Sequence, residues 1–254
     1  MSLLTISHLR KKFRNNRGIE DISFSIEEGD VFGLLGANGA GKTTTMKIIA
    51  GLMRRDSGEI DIFGEPLESH FEDAMGKIGA LIETPAFYGY MSAKRNLLTA
   101  AGYYRWRGGK AERERQVDGL LNLVRLYPYR DDKAARYSLG MKQRLGIALA
   151  FVASPSFCIL DEPSNGLDIE GIIEIRNIIL DMAARRNVTF LVSSHQSGEI
   201  QKLCNKVAVI SGGRVDGVAE MAWVLNNFPS LEEYYLYCVR GDAPFGDSAY
   251  IGRN

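Results

Sequence analysis

Near the start of the chain apolar and polar side chains alternate, with Ile22, Phe24 and Ile26 separated by serines. A period of two puts those three on one face of a strand, and the triplet Glu28-Gly29-Asp30 ends it in a turn. This predicts an N-terminal antiparallel β layer. The pattern then changes: 31–35 is a short unbroken apolar run, followed by glycines and a helix-like stretch at 42–50. Strand, loop and helix in that order make an α/β unit. Runs at 78–82, 157–160, 188–193 and 207–210 are equally apolar, as expected of a mostly parallel sheet buried on both faces. Over 169–182, Ile172, Ile175, Ile179 and Met182 recur at helical spacing, a stripe for packing. Residues 91–150 turn helical in composition, with Arg and Glu interleaved over 110–116. The expected organisation is a core at 1–85 and 151–225, a helical insertion at 86–150, and a tail at 226–254. That tail carries Tyr234, Tyr235 and Tyr237 and is expected to run to a frayed end.

A chain of 254 residues is long enough to bury a substantial core. Its 31 basic residues balance 31 acidic ones, so net charge offers nothing to a polyanion and no nucleic-acid partner is expected. Cys158, Cys204 and Cys238 are far apart and form no metal-binding or disulfide pattern, which suits a reducing cytoplasm. The N-terminal residues do not show the charged-then-apolar pattern of a leader, so none is expected, and no apolar run approaches the ~18 residues a membrane span needs. A role at a membrane would require another chain to span it.

Residues 36–43 read GANGAGKT, a complete G-x-x-x-x-G-K-[ST] pattern between a strand and a helix. Glycines let the backbone curl so that successive N–H groups point inward, and the helix N-terminus adds partial positive charge. Gly36, Asn38, Gly39, Ala40, Gly41 and Thr44 form such a phosphate cradle with Lys42, which reaches the β- and γ-phosphates. Thr43 offers a hydroxyl to Mg²⁺. A second metal ligand belongs at the end of a neighbouring strand, and FCILDE at 157–162 supplies Asp161. Glu162 beside it suits the water-positioning role in phosphoryl transfer. In YSLGMKQR at 137–144, Ser138 and Gly140 precede a helix. Ser138 fits an N-cap, and equally a second phosphate site. DEPSNGLD runs from Asp161 to Asp168, and Ser193-Ser194-His195 ends another strand, where His195 can meet a γ-phosphate.

With these residues in place, the chain as far as about Trp223 resembles the ATP-binding subunit of an ABC transporter. The resemblance implies an α/β fold: a P-loop NTPase core with a mostly parallel sheet, an N-terminal antiparallel β subdomain and an inserted helical subdomain. It makes GANGAGKT the Walker A loop, CILDE the Walker B strand, SLGMKQ the signature, SNGLD with Asp168 the D-loop, and His195 the switch histidine. It places Phe13 on the adenine ring, although from sequence alone Phe13 equally suits a core. It implies ATP and Mg²⁺ as ligands, ATP hydrolysis, and a head-to-tail dimer in which Ser138 and Gly140 of a second subunit close each site. It also implies transmembrane permease partners and a peripheral position on the cytoplasmic face of the membrane.

The family usually carries glutamine where this chain has Glu83, in LIETPAFYGY, and SGGQ where it has SLGM. Glutamate still offers oxygen to Mg²⁺ but cannot donate as an amide does. Glu83 therefore reads as a metal and coupling residue, against the plainer alternative of a solvated strand end. Both departures, with LIETPAFYGYMSAKRNL and SNGLDIEGIIEIR, resemble the exporters that protect their hosts against lantibiotics or bacitracin. Export of another drug, lipid or polysaccharide is the alternative within the mechanism, and a soluble non-transport ABC ATPase the alternative outside it. The latter usually has fused halves or a coiled-coil insertion, which this chain lacks. A GTPase would want Asn-Lys-x-Asp, and Asn205-Lys206-Val207-Ala208 lacks the Asp.

Overall fold

A computed structural model describes residues 2–14, 17–104 and 109–241. The alternating N-terminal segment forms β1 (Ser2–Lys12) and β2 (Gly18–Glu27), antiparallel, with Ile6 opposite Phe24 and Leu9 opposite Ile22. The turn after β2 is locked by Asp30, which accepts from the Glu27 amide at 2.9 Å and from Asn205 Nδ2 at 2.8 Å. After it come β3 (Val31–Leu35) and α1 (Lys42–Ile49), then β4 (Ser57–Ile62), β5 (Glu65–Pro66) and α2 (Phe71–Met75). Next, β6 (Ile78–Leu81) leads into α3 (Ala93–Tyr103), α4 (Lys110–Leu123) and α5 (Leu139–Ala150). The chain returns through β7 (Phe157–Asp161), α6 (Ile169–Arg186), β8 (Thr189–Ser194), α7 (Ser197–Leu203), β9 (Lys206–Ser211) and β10 (Arg214–Glu220). It continues into α8 (Met221–Asn227) and α9 (Leu231–Arg240).

Among the described residues the strands join in the order β5-β4-β1-β2-β10-β9-β3-β8-β7-β6. The run β9-β3-β8-β7-β6 is parallel, and β1 pairs antiparallel with β2 and β4. The unbroken apolar runs are explained by two cores. On β7, Cys158 and Leu160 face one core while Phe157 and Ile159 face the other, and β9 divides in the same way between Val207 with Val209 and Ala208 with Ile210. The first core is covered by the α3–α9 helices, the second by α1 and the antiparallel layer. On α6 the expected stripe packs inward through Ile175, Ile179 and Met182, joined by Ile178. The helical segment is fastened to α6 by Glu174, whose carboxylate pairs with Arg125 at 2.9 Å and Arg144 at 3.2 Å.

The tyrosine-bearing part of the tail is helical and packed against the core. Ser230 caps α9 by accepting from the Glu233 amide, Leu231 and Tyr234 are buried, and the Leu231 N–H donates to Gln201 of α7 at 3.1 Å. Phe228 lies 5.2 Å from Tyr234 and 5.4 Å from Tyr237, ring centre to ring centre, so the aromatic residues form a packed cluster. The expected frayed end falls on 242–254, outside the described residues. No helix among the described residues is long and apolar enough to cross a membrane.

Candidate functional site

Because β3, β8, β7 and β6 are parallel neighbours, their carboxyl ends open onto one crevice. The glycine loop follows β3, Ser193-Ser194-His195 closes β8, Asp161-Glu162 closes β7, and Glu83 follows β6. Gly39 and Gly41 have φ of 83° and 114°, the left-handed region where side chains are disfavoured. No side chain caps the N-terminus of α1, which leaves its first amides for an anion.

Lys42 is buried within the loop, its Nζ donating to the Gly36 carbonyl at 2.7 Å and lying 3.4 Å from Glu162 Oε1. The other Glu162 oxygen meets His195 Nδ1 at 3.0 Å. Thr43 Oγ1 donates to Asp161 Oδ2 at 2.8 Å, and Ser193 Oγ donates to Asp161 Oδ1 at 2.5 Å while accepting from the Glu162 amide at 2.9 Å. Ser193 thus joins the two carboxylate residues through one hydroxyl. Glu162 itself holds a φ of 46°, a strained conformation for a side chain other than glycine. The hydroxyl of Thr43 and the carboxylate of Asp161 are hard oxygen donors of the kind Mg²⁺ accepts with substrate phosphates and water. Among the described residues no group of three or more His, Cys, Asp or Glu could hold a metal alone.

Phe13, over a third exposed, lines a cleft of ≈280 Å³ with Asn38, Lys42, Thr43, Thr44 and Glu162. Its ring is therefore available beside the glycine loop and is not core packing. Ser138, Gly140 and Asp168 border a different cleft, of ≈490 Å³. There Ser138 accepts from the Met141 amide and Asp168 from the Gly171 amide, so each caps its helix. The structure gathers Phe13, Lys42, Thr43, Asp161, Glu162 and His195, and keeps the signature residues apart from them. Glu83 is exposed, with its carboxylate 2.6 Å from Lys47 Nζ. Sequence reasoning overlooked two residues. Ser193 was legible as a hydroxyl ending an apolar strand beside two carboxylates, whereas nothing in the sequence pairs Lys47 with Glu83.

A phosphate cradle holding a buried lysine, faced by a carboxylate pair on a nearby strand, defines a P-loop nucleoside triphosphatase. The model of the ABC transporter family matches residues 19–165, and the chain belongs to that family as an ATP-binding protein that hydrolyses ATP. It is 37% identical over 214 residues to the bacitracin transport ATP-binding protein BcrA of Bacillus licheniformis, covering 84% of this chain and 68% of that protein. It is 35% identical over 231 residues to the lantibiotic transport ATP-binding protein SrtF of Streptococcus pyogenes, covering 89% and 96%. A solved ATP-binding subunit of an ABC transporter superposes with a TM-score of 0.81 at 31% identity, over 93% of this chain and 99% of that one. The expected P-loop α/β fold is borne out.

Proposed function

We propose that this chain powers export of a peptide antibiotic of the bacitracin or lantibiotic type through a separate membrane permease, as one half of a head-to-tail pair on the cytoplasmic face. The mechanistic part rests on one observation: Lys42 and Thr43 meet Glu162 and Asp161 in one crevice, while Ser138 and Gly140 border another. A chain with two phosphate-binding helix ends facing different clefts needs a second copy, or a paralogue, to bring them together. The cargo rests on the likeness to proteins named for bacitracin and lantibiotic transport.

In this reading Phe13 stacks on adenine, and the amides of Gly36, Asn38, Gly39, Ala40, Gly41 and Thr44 hold the phosphates. Lys42 neutralises the β- and γ-phosphates from inside the loop. Thr43, Asp161 and Glu83 hold Mg²⁺, which supplies charge neutralisation of the phosphates when bound. Glu162 orients the attacking water, and His195 holds the second Glu162 oxygen and senses the γ-phosphate. Ser138, Gly140 and Asp168 of the partner complete the site.

A growth-inhibition panel of bacitracin and several lantibiotics tests the reading, using cells that express the chain with the permease encoded beside it. Protection against one compound is expected, and it should vanish with Glu162→Gln. An assembled, ATP-hydrolysing complex that protects against none of them would remove the cargo assignment. Normal hydrolysis by Glu162→Gln would remove Glu162 from its role.

A further inference from the structure

Glu83 lies just past β6 with a φ of 63°, in the left-handed region that is uncommon for a residue other than glycine. Its carboxylate is engaged by Lys47 Nζ at 2.6 Å. Lys47 follows Thr43 by four residues on α1 and so lies on the same helical face, one turn along. One face of α1 therefore carries both the hydroxyl that meets Asp161 and the ammonium that meets Glu83. A neutral amide at position 83 would need no counter-charge. A carboxylate adds a negative group at the end of the strand next to the one that ends in Asp161, and Lys47 is the cation that pairs with it.

We propose that Lys47 is the positioning residue for Glu83: it holds the carboxylate beside α1 when metal is absent, and Glu83 exchanges this ammonium for Mg²⁺ when nucleotide brings the ion in. The proposal rests on Glu83 as a metal contact. The pair suits exchange because it is exposed, with side-chain exposures of 25% for Lys47 and 60% for Glu83. Pairs of this kind shift an equilibrium by no more than about fivefold.

The test is binding of Mn²⁺ in the presence of a non-hydrolysable ATP analogue, followed by electron paramagnetic resonance, for the wild-type chain, Lys47→Gln, Glu83→Gln and the double variant. Removing the competing ammonium should tighten Mn²⁺ binding about 2- to 5-fold when Glu83 is present, and leave it unchanged in the Glu83→Gln background. Unchanged or weaker binding in Lys47→Gln would overturn the exchange. So would equal tightening in both backgrounds, which would make Lys47 a general like charge and not the partner of Glu83. If Glu83→Gln alone leaves Mn²⁺ affinity untouched, the metal role of Glu83 falls and the exchange with it. If Glu83→Gln weakens binding while Lys47→Gln is neutral, only the exchange falls. Thermal unfolding of the four metal-free proteins gives a readout independent of nucleotide: the two substitutions should be non-additive, and strict additivity would show that the ammonium does not hold the carboxylate, which overturns the positioning role.

Discussion

Ser193 is fully buried, and its one hydroxyl serves both carboxylate residues of the site. It donates to Asp161 Oδ1 at 2.5 Å and accepts from the Glu162 amide at 2.9 Å. Ser193→Ala removes a charge-assisted hydrogen bond, about 1.5–3 kcal/mol, and strands a backbone N–H, about 1–3 kcal/mol. The two losses share one atom and are not additive, so the expected cost is about 2–4 kcal/mol. Urea unfolding should show the midpoint falling at unchanged slope, and the melting temperature should drop by roughly 4–16 °C. ATP turnover should fall as well, because the Asp161 carboxylate and the Glu162 backbone lose a common anchor. A variant within about 0.5 kcal/mol of wild type, with normal turnover, would refute the claim that this hydroxyl holds the site together.

Gly79 on β6 tests the packing of the helical segment: a Cβ there would stand 2.2 Å from the Ala150 carbonyl oxygen at the end of α5. Gly79→Ala should cost about 1–3 kcal/mol or more by urea unfolding, and an unchanged midpoint would mean that α5 is not seated on β6 as described. Tyr137 tests burial at the signature, where its hydroxyl donates to the Tyr129 carbonyl at 2.6 Å and burial pushes the phenol from 10.0 up to about 12. The unfolded chain ionises first, so this contribution is fully present below pH 10 and is lost as pH rises toward 12. Urea midpoints for wild type and Tyr137→Phe should converge over that window, and parallel curves would contradict the burial.

The central strands were legible because a strand buried on both faces is apolar through its middle, and β3, β7, β8 and β9 keep that pattern, with polar residues only at their ends. The glycine loop was legible because its backbone does the binding, and backbone needs are written in glycine spacing. By contrast β10, RVDGVAE, exposes every second residue and carries Asp216 and Gly217, so its composition reads as a loop. Gly217 is small because Tyr234 Oη and Cys238 Sγ of α9 come within 2.7 Å of where its Cβ would be. Strand and tail helix explain each other only once they are in contact. The Lys47–Glu83 pair was hidden for the same reason: 36 residues separate the partners, and only the folded chain brings the end of β6 to α1.

Comparing the contacts by strength divides the site into a fixed part and a movable one. Asp161 is buried and accepts from Thr43 and Ser193, each bond to the carboxylate contributing about 1.5–3 kcal/mol. The exposed Lys47–Glu83 pair contributes ~0–1 kcal/mol, close to thermal energy. The loop after β6 is therefore held less tightly by this pair than the end of β7 is by its buried bonds. Two residues beyond Glu83, Pro85 lies against Gly146 of α5, where an added Cβ would come within 2.7 Å of the Pro85 Cβ. No slack separates them, and close-packed neighbours transmit a shift where a loose contact would absorb it. Pro85 therefore joins the loop after β6 to α5, the helix that Ser138 caps. Within two residues, the loop after β6 thus carries a weak exposed ion pair to α1 and a close-packed contact to α5.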